Sequence, residues 1–146
     1  ILELLKQLRD EEKMSVVLIT HDLGVVASLS NRISVMYGGL IMEEGLTDEI
    51  FYAPKHPYTR ALLHAIPQPT TGVKERLEAI PGMAPSLTNP PVGCPFAERC
   101  KYACEKCECE IPAYRQYTKT QRAMCVFTEE ELNAMDKEEK ADGRTE

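Results

Sequence analysis

Hydrophobic residues recur at helical spacing at the start of the chain, and they predict the end of an amphipathic helix. The residues on this face are Ile1, Leu2, Leu4, Leu5 and Leu8. Residues 15–20 form a short apolar run rich in valine and isoleucine, which is typical of a buried strand in a parallel sheet. Asp22 follows as the predicted N-cap of a helix that carries Val25, Val26 and Leu29.

A β-hairpin is predicted next. Residues 32–37 and 40–43 are its strands, and Gly38-Gly39 is its turn. Gly45 is expected to end the second strand, and Thr47 to cap a short helix through residues 48–51. The order strand, helix, strand, strand, helix predicts the closing part of an α/β sheet.

The composition changes after this point. Pro57 is suited to the first turn of a helix over residues 57–66, which Pro67 would end. Six prolines in residues 67–93 predict an extended connector. Thr128 and Glu131 predict a capping box at the start of a helix over residues 128–140. We therefore divide the chain into residues 1–53, 54–93, 94–127 and 128–146.

The charge is concentrated at one end. The net charge is −6, and residues 128–146 hold eight acids and three bases. The rest is close to neutral, which argues against nucleic-acid binding, since that requires a concentrated basic face. We expect the acidic tail to be a solvated, frayed helix. No apolar run is long enough to span a bilayer, and no signal peptide is recognisable.

Six cysteines fall within residues 94–125, at positions 94, 100, 104, 107, 109 and 125. Without a recognisable export signal we expect a reducing compartment, where clustered thiols favour metal binding over disulfides. Four thiolates can hold a [4Fe–4S] cluster or a tetrahedral zinc ion, and ligand type alone decides neither. The alternative is six cysteines that are free or disulfide-linked. A module of this size cannot bury enough apolar surface to fold alone, so a metal would supply its folding energy.

Several segments, in order, resemble one family. Residues 18–23 (Leu-Ile-Thr-His-Asp-Leu) resemble the switch-histidine loop of ABC ATPases. The further matches are residues 35–39 and 43–45, which resemble the hairpin after that loop, residues 56–63, 80–82 and 85–87, and the Cys-bearing segments 93–96 and 99–100. Together they cover about residues 1–127 and resemble the C-terminal part of oligopeptide/dipeptide ABC transporter ATP-binding subunits.

The resemblance implies a peripheral ATPase subunit at the cytoplasmic face of the cell membrane, which uses ATP and Mg²⁺ to power uptake of oligopeptides, dipeptides or related solutes. Its partners would be membrane permease subunits, a second ATPase subunit and, indirectly, a solute-binding protein. His21 would contact the γ-phosphate and the attacking water. The alternative is that His21 only closes a strand and orients the next helix cap.

The fold class we predict is α/β: a C-terminal fragment of a P-loop ABC ATPase domain, followed by a small, irregular Cys-rich module. The phosphate-binding pattern G-x-x-x-x-G-K-[ST] is absent, because no Gly-Lys pair occurs in the 146 residues. We therefore expect the chain to be a fragment that does not hydrolyse ATP alone. The alternatives are a freestanding iron–sulfur or zinc regulatory module, or a peptide-binding scaffold without nucleotide chemistry.

The resemblance also implies the metal ligands, which are Cys94, Cys100, Cys107 and Cys125, with Cys104 and Cys109 as possible substitutes for the third. Zinc sites commonly use paired C-x₂-C knuckles, and only Cys104-x₂-Cys107 fits that pattern. The wide gaps between the other cysteines and the resemblance itself favour a [4Fe–4S] cluster over zinc.

Basic residues near the cysteines are expected to lower the thiol pKa values. These residues are Arg99, Lys101, Lys106 and Arg122. Two histidines are not assigned to the metal. His56 precedes Pro57 and is expected at a helix entry, and His64 is expected on a surface or interface.

Overall fold

The computed structural model describes residues 1–65 and 80–142. Its helices are α1 (Leu2–Glu12), α2 (Leu23–Leu29), α3 (Thr47–Tyr52), α4 (Pro57–His64), α5 (Glu105–Cys109) and α6 (Glu129–Asp142). Its strands are β1 (Arg32–Tyr37), β2 (Leu40–Leu46), β3 (Tyr114–Gln116) and β4 (Arg122–Met124), and a 3₁₀ turn spans Ala97–Arg99. The proline-rich residues 80–93 contain no helix or strand.

The predicted hairpin is confirmed. Residues of β1 are alternately exposed and buried, as expected for a strand with one face on the core. Gly38 and Gly39 make the two-residue turn with φ of 57° and 83°, values that glycine adopts at little cost. A Cβ at Gly38 would also stand only 2.6 Å from Pro95 Cβ. The two glycines therefore form the hairpin turn, and Gly38 leaves room for Pro95 beside the first cysteine.

Gly45 does not end β2, contrary to the sequence prediction. It pairs with Ile33, and the strand continues to Leu46. A Cβ at Gly45 would lie 3.2 Å from Gln121 Cγ, tighter than an ordinary contact. The absence of a side chain at Gly45 makes room for Gln121, which directly precedes β4. A local sequence pattern cannot reveal this contact between distant residues.

The sheet has the order β1-β2-β4-β3, and every pair is antiparallel. Strands β3 and β4 were not predicted, because the Cys-rich segment was expected to be irregular. Each has only three residues, too few to show a period-two pattern. Strands from within residues 94–127 thus complete a sheet begun by the hairpin. The division into four segments stays a prediction.

Residues 15–20 do not form the predicted strand. They have no regular secondary structure, and Val17 and Ile19 are 90% and 95% exposed. A strand requires hydrogen bonds to a neighbour, and these residues pair with no other part of the chain that the structure describes. The apolar run therefore stands unpaired, in front of His21.

Helix starts follow the sequence closely. Asp22 Oδ1 accepts the Val25 N–H at 3.1 Å, which confirms the predicted N-cap of α2. The capping box of α6 is also confirmed, with Thr128 N donating to Glu131 at 2.7 Å and Glu131 N to Thr128 at 3.2 Å. Thr47 is the first residue of α3 rather than its cap.

Helix α4 is described as far as His64, and the predicted stop at Pro67 lies outside the described residues. His56 is its N-cap, because the ring Nδ1 accepts the Tyr58 N–H at 3.0 Å. The helix-entry role expected of His56 is therefore confirmed. His64 is exposed, as expected.

Two clusters of buried side chains make up the core. One packs Ile33 and Val35 of β1 against Ile50 of α3. The other joins the hairpin to the Cys-rich segment through Tyr37, Met42, Cys94, Phe96, Ala97, Cys107 and Met124. Phe96 stands edge-on to Tyr37 with ring centroids 5.4 Å apart. The cysteines therefore belong to a core they share with the hairpin.

Within residues 129–142 the acidic tail is a helix that docks on the protein, where its composition predicted a solvated, frayed helix. Leu132 of α6 is fully buried. Asp136 accepts from Lys101 Nζ at 2.7 Å and from the Tyr102 hydroxyl, and Glu129 pairs with the largely buried Lys55. One buried leucine and a few ion pairs fix the helix on the Cys-rich segment, a pattern hidden by the many surrounding acids.

Candidate metal centre

Four of the six cysteines line one small cavity, of about 10 Å³. They are Cys94, Cys100, Cys107 and Cys125, the four that the resemblance implied. Cys109 is exposed, and neither it nor Cys104 lines the cavity. The remaining wall is mostly apolar, with His56, Phe96, Met124 and Phe127 among its residues.

Different elements bring these four thiols together. Cys94 follows the connector, and its N–H donates to the Cys107 carbonyl at 2.7 Å. Cys100 closes the 3₁₀ turn, and Cys107 lies within α5. Cys125 comes directly after β4. The cavity therefore depends on the sheet as well as on the Cys-rich loops.

Gly93 permits the close approach of the connector to α5. A Cβ at this position would lie 2.2 Å from the Cys107 carbonyl oxygen and 2.6 Å from that of Glu108. Backbone atoms cannot give way as the end of a flexible side chain can. Any other residue would push Cys94 away from Cys107.

Burial raises the pKa of all four cavity thiols, because the thiolate loses solvation. The pKa reaches about 12 for Cys100 and about 11 for Cys107. Each raised pKa is partly opposed by a backbone hydrogen bond that favours the thiolate. The backbone partners are Phe96 and Ala97 for Cys94, Tyr102 for Cys100, Cys104 for Cys107 and Phe127 for Cys125.

The expectation that nearby bases lower these pKa values is wrong for the net pKa, which is raised at all four thiols, although the charges of Arg115 and Arg60 oppose the rise at Cys125. Arg99 donates to the Pro81 and Ile80 carbonyls and to the Tyr37 hydroxyl, all within 2.9 Å. Lys101 pairs with Asp136 and Glu139 on α6. Arg122 pairs with Glu44 of β2 at 2.8 Å. These cations hold the connector, the last helix and the sheet in place, so their partners are groups other than the sulfurs.

Across residues 1–65 and 80–142, no three His, Cys, Asp or Glu side chains are arranged to hold a metal ion. Tetrahedral zinc with bonds of about 2.3 Å requires sulfurs roughly 3.8 Å apart. Cys104 and Cys107 meet that spacing, with 3.7 Å between their sulfurs, but Cys104 lies outside the cavity lining. The donor chemistry thus fits a thiolate centre, while the arrangement does not form a closed zinc site.

His56 lines the cavity but is not available as a ligand. Its Nδ1 accepts from Tyr58, and burial lowers its pKa to about 4, opposed in part by a hydrogen bond with the Met124 backbone. The ring therefore stays neutral at neutral pH, with its polar atoms committed to the protein. Through Met124 it contacts the residue next to Cys125.

A buried carboxylate beneath His56 was missed by the sequence analysis. Glu43 of β2 is fully buried and accepts from the backbone N–H groups of Lys55 and His56 at 2.8 and 2.9 Å. Gln121 Nε2 donates to it at 3.0 Å. Burial raises the Glu43 pKa, and these donors oppose the rise. Two adjacent glutamates within a strand give no sign of which one points inward.

His21 is exposed, in the bend between residues 15–20 and α2. The Asp22 N–H donates to Thr20 Oγ1 at 3.0 Å across this bend. His21 is therefore presented to solvent at the end of the apolar run and is not one of the residues around the cysteine cavity.

Comparison with known proteins finds a match between part of the chain and one family. Residues 42–107 match the family described as the C-terminal region of oligopeptide/dipeptide transporters. This region contains most of the hairpin's second strand, α4, the connector and the first four of the six cysteines. Residues 42–107 are therefore similar to the C-terminal region of this transporter family.

The similar curated proteins are ATP-binding proteins of peptide ABC transporters. The chain is 43% identical over 133 residues to a probable peptide ABC transporter ATP-binding protein, y4tR, of Sinorhizobium fredii NGR234, covering 91% of this chain and 40% of that protein. It is 44% identical over 127 residues to the dipeptide transport ATP-binding protein DppD of Escherichia coli K12, covering 87% and 38%.

A third relative is the oligopeptide transport ATP-binding protein OppD of Bacillus subtilis 168, 53% identical over 103 residues, which are 70% of this chain and 29% of that protein. The chain spans two-fifths or less of the length of these relatives. No helix in the described residues is both long and apolar enough to cross a membrane.

Proposed function

We propose that the chain is the C-terminal part of the ATP-binding subunit of an ABC importer for oligopeptides, dipeptides or related solutes. The observation that carries this is the alignment of 133 residues at 43% identity with a peptide-transporter ATP-binding protein. The proposed whole protein binds ATP and Mg²⁺ and works at the cytoplasmic face of the cell membrane. Its partners are permease subunits and a second ATP-binding subunit, and it serves a solute-binding protein indirectly.

In this proposal His21 acts on the nucleotide. It is exposed at the end of an apolar run, where α/β proteins bind ligands once the run is part of a sheet. Its imidazole would contact the γ-phosphate and orient the attacking water, a role of positioning and charge stabilisation. The phosphate-binding loop and the Mg²⁺ ligands would come from residues outside these 146.

The test uses the longer protein encoded by the complete reading frame, assembled with its permease in proteoliposomes. We expect the region before Ile1 to encode a G-x-x-x-x-G-K-[ST] loop. His21→Ala should abolish ATP hydrolysis coupled to peptide uptake, and His64→Ala, at an exposed position of α4, should leave it unchanged.

The 146-residue chain alone should show no ATP hydrolysis that depends on His21. Such activity from the chain by itself would contradict the assignment of the phosphate site to other residues. A reading frame with no phosphate-binding loop would contradict the transporter assignment and favour a freestanding metal module.

We also propose that Cys94, Cys100, Cys107 and Cys125 hold a [4Fe–4S] cluster, with zinc as the alternative metal. Support comes from the four thiols along one cavity and from the backbone hydrogen bonds that favour each thiolate. The group would supply structural cross-linking or redox sensing, and His56 and Gly93 would position the thiols around it.

Anaerobic reconstitution with iron and sulfide tests this proposal. We expect a brown chain with broad absorbance in the blue and about four irons per chain, the stoichiometry of the proposed cluster. Serine at any of the four cavity cysteines should reduce the iron content, and the exposed control Cys109→Ser should retain it. A colourless chain with one zinc would favour the alternative, and iron binding that survives all four substitutions would contradict the ligand set.

A further inference from the structure

We propose that Cys104 and Cys107 form a redox-active dithiol that small-molecule disulfides convert into an intramolecular disulfide. This inference does not require the transporter activity or the metal centre to be correct. It concerns a cysteine outside the cavity lining and the cavity thiol nearest to it.

The two sulfurs are already in contact. Their separation is 3.7 Å, and a disulfide bond requires about 2.05 Å, a change that side-chain rotation can supply. Cys104 is the N-cap of α5, and its carbonyl accepts the Cys107 N–H at 2.8 Å. Residues three apart across a helical turn are neighbours, so the backbone already holds the side chains on one face.

The two thiols differ in access to solvent. Cys104 is half-buried, whereas Cys107 is only 7% exposed. A small oxidant therefore reaches Cys104 first, and Cys107 then acts as the resolving thiol. Cys109 is exposed, but it lies two residues beyond Cys107, and residues at that spacing do not face each other on a helix.

The chemistry is thiol–disulfide exchange with a low-molecular-weight disulfide such as oxidised glutathione. The Cys104 thiolate attacks one glutathione sulfur, and the other glutathione leaves as a thiolate that takes up a proton. The Cys107 thiolate then attacks the Cys104 sulfur and displaces the second glutathione, which is also protonated. The two protein thiols lose two electrons and two protons, and one glutathione disulfide becomes two glutathione thiols.

One consequence follows only if the proposed metal centre is correct. Cys107 lines the cavity, so a disulfide to Cys104 would remove one of the four proposed ligands. Conversely, a chain reconstituted with the cluster should resist cross-linking, because Cys107 is then bound. Disulfides in reducing compartments are usually transient and redox-sensing, which suits a bond of this kind.

Peptide mapping of the reduced, metal-free chain after oxidised glutathione treatment tests the proposal directly. Lys106 lies between the two cysteines, so trypsin separates Cys104 (residues 102–106) from Cys107 (residues 107–115) unless a disulfide joins them. We expect these two peptides to be linked, and two fewer free thiols than the six of the reduced chain.

Serine variants identify the partners. Cys104→Ser and Cys107→Ser should each abolish the link, whereas the matched control Cys109→Ser, in the same peptide as Cys107, should keep it. Circular dichroism should show that each variant keeps the helices of the parent chain.

The proposal is overturned if no link forms, if it survives in Cys107→Ser through Cys109, or if Cys107 pairs with Cys94 instead. None of these outcomes depends on iron, so failure here is separate from failure of the metal centre.

Discussion

Glu43, His56 and Gln121 form a buried polar network that joins β2, the start of α4 and the approach to β4. The backbone N–H groups of Lys55 and His56 and the Gln121 amide donate to the Glu43 carboxylate within 3.0 Å. Gln121 also donates to the Ala53 carbonyl at 2.9 Å. A buried carboxylate is costly unless it is satisfied in this way. The network thus fixes the backbone of His56, whose ring lines the cysteine cavity.

His56 should make the folded chain less stable as the pH falls below neutral. The His56 pKa is about 4 in the folded state and 6.5 in the unfolded state. Between these two pH values only the unfolded state takes up the proton. The contribution of His56 to the free energy of unfolding should therefore be complete above pH 6.5. It should fall by about 1 kcal/mol per pH unit towards pH 4. Urea unfolding of the reduced chain from pH 7 to 5 measures this loss.

Glu43 acts in the opposite direction, because its raised pKa lets the folded state take up a proton first. The His56 contribution is isolated by comparing variants. His56→Gln should flatten the pH dependence, while His64→Gln, at the exposed end of α4, should keep it. A His56 ring that titrates near 6.5 by NMR would contradict the buried, neutral imidazole.

At the scale of elements, α6 is held by very few contacts. Leu132 inserts fully into the core, and Asp136 receives hydrogen bonds from Lys101 and Tyr102 of the Cys-rich segment. Arg60 of α4 donates to Asn133 at 3.1 Å, so the helix also contacts the first half of the chain. Helix α6 therefore contacts both α4 and the Cys-rich segment and links them.

Leu132→Ala should detach α6 and destabilise the chain by about 2–5 kcal/mol, the range for a buried leucine that leaves a cavity. The measurement is the free energy of unfolding in urea, with amide hydrogen exchange of α6 as a local readout. Glu138→Ala, at an exposed position of the same helix, should change the stability by less than about 0.5 kcal/mol. Equal effects of the two substitutions would show that the helix is not docked through Leu132.

The whole molecule has one well-packed end and one apolar, exposed end. Helix α1 buries none of its residues, and Ile1, Val17 and Ile19 are each at least 90% exposed. Large apolar side chains exposed to this extent are typical of a contact with other protein. In the proposed transporter subunit, the rest of the ATPase sheet would cover it.

The 146-residue chain should therefore self-associate through residues 15–20. Replacing Val17 and Ile19 together by serine should lower the association, because it removes most of the exposed apolar area of this segment. Sedimentation velocity over a range of concentrations measures the effect. Met83→Ser is the matched control, since Met83 is 87% exposed but lies in the connector. Association unchanged by the double substitution would place the contact elsewhere.

Local signals in the sequence determined many elements correctly. The Asp22 cap, the Gly38-Gly39 turn and the Thr128–Glu131 capping box each depend on residues within four positions of one another. The order of motifs also indicated the resemblance to a family, because motifs are compared residue by residue without knowledge of the fold. The apolar run 15–20 was misread as a paired strand, since pairing depends on a neighbour that a local pattern cannot supply.

Only the tertiary structure decided how the distant parts meet. Gln121 reaches Glu43 across 78 positions, and β4 pairs with β2 although neither its length nor its pattern predicts a strand. The same packing separates Cys109 from the cavity and pairs Arg99 and Lys101 with partners other than the sulfurs. These arrangements depend on burial and on hydrogen bonds between residues far apart in the chain, which no local spacing can encode.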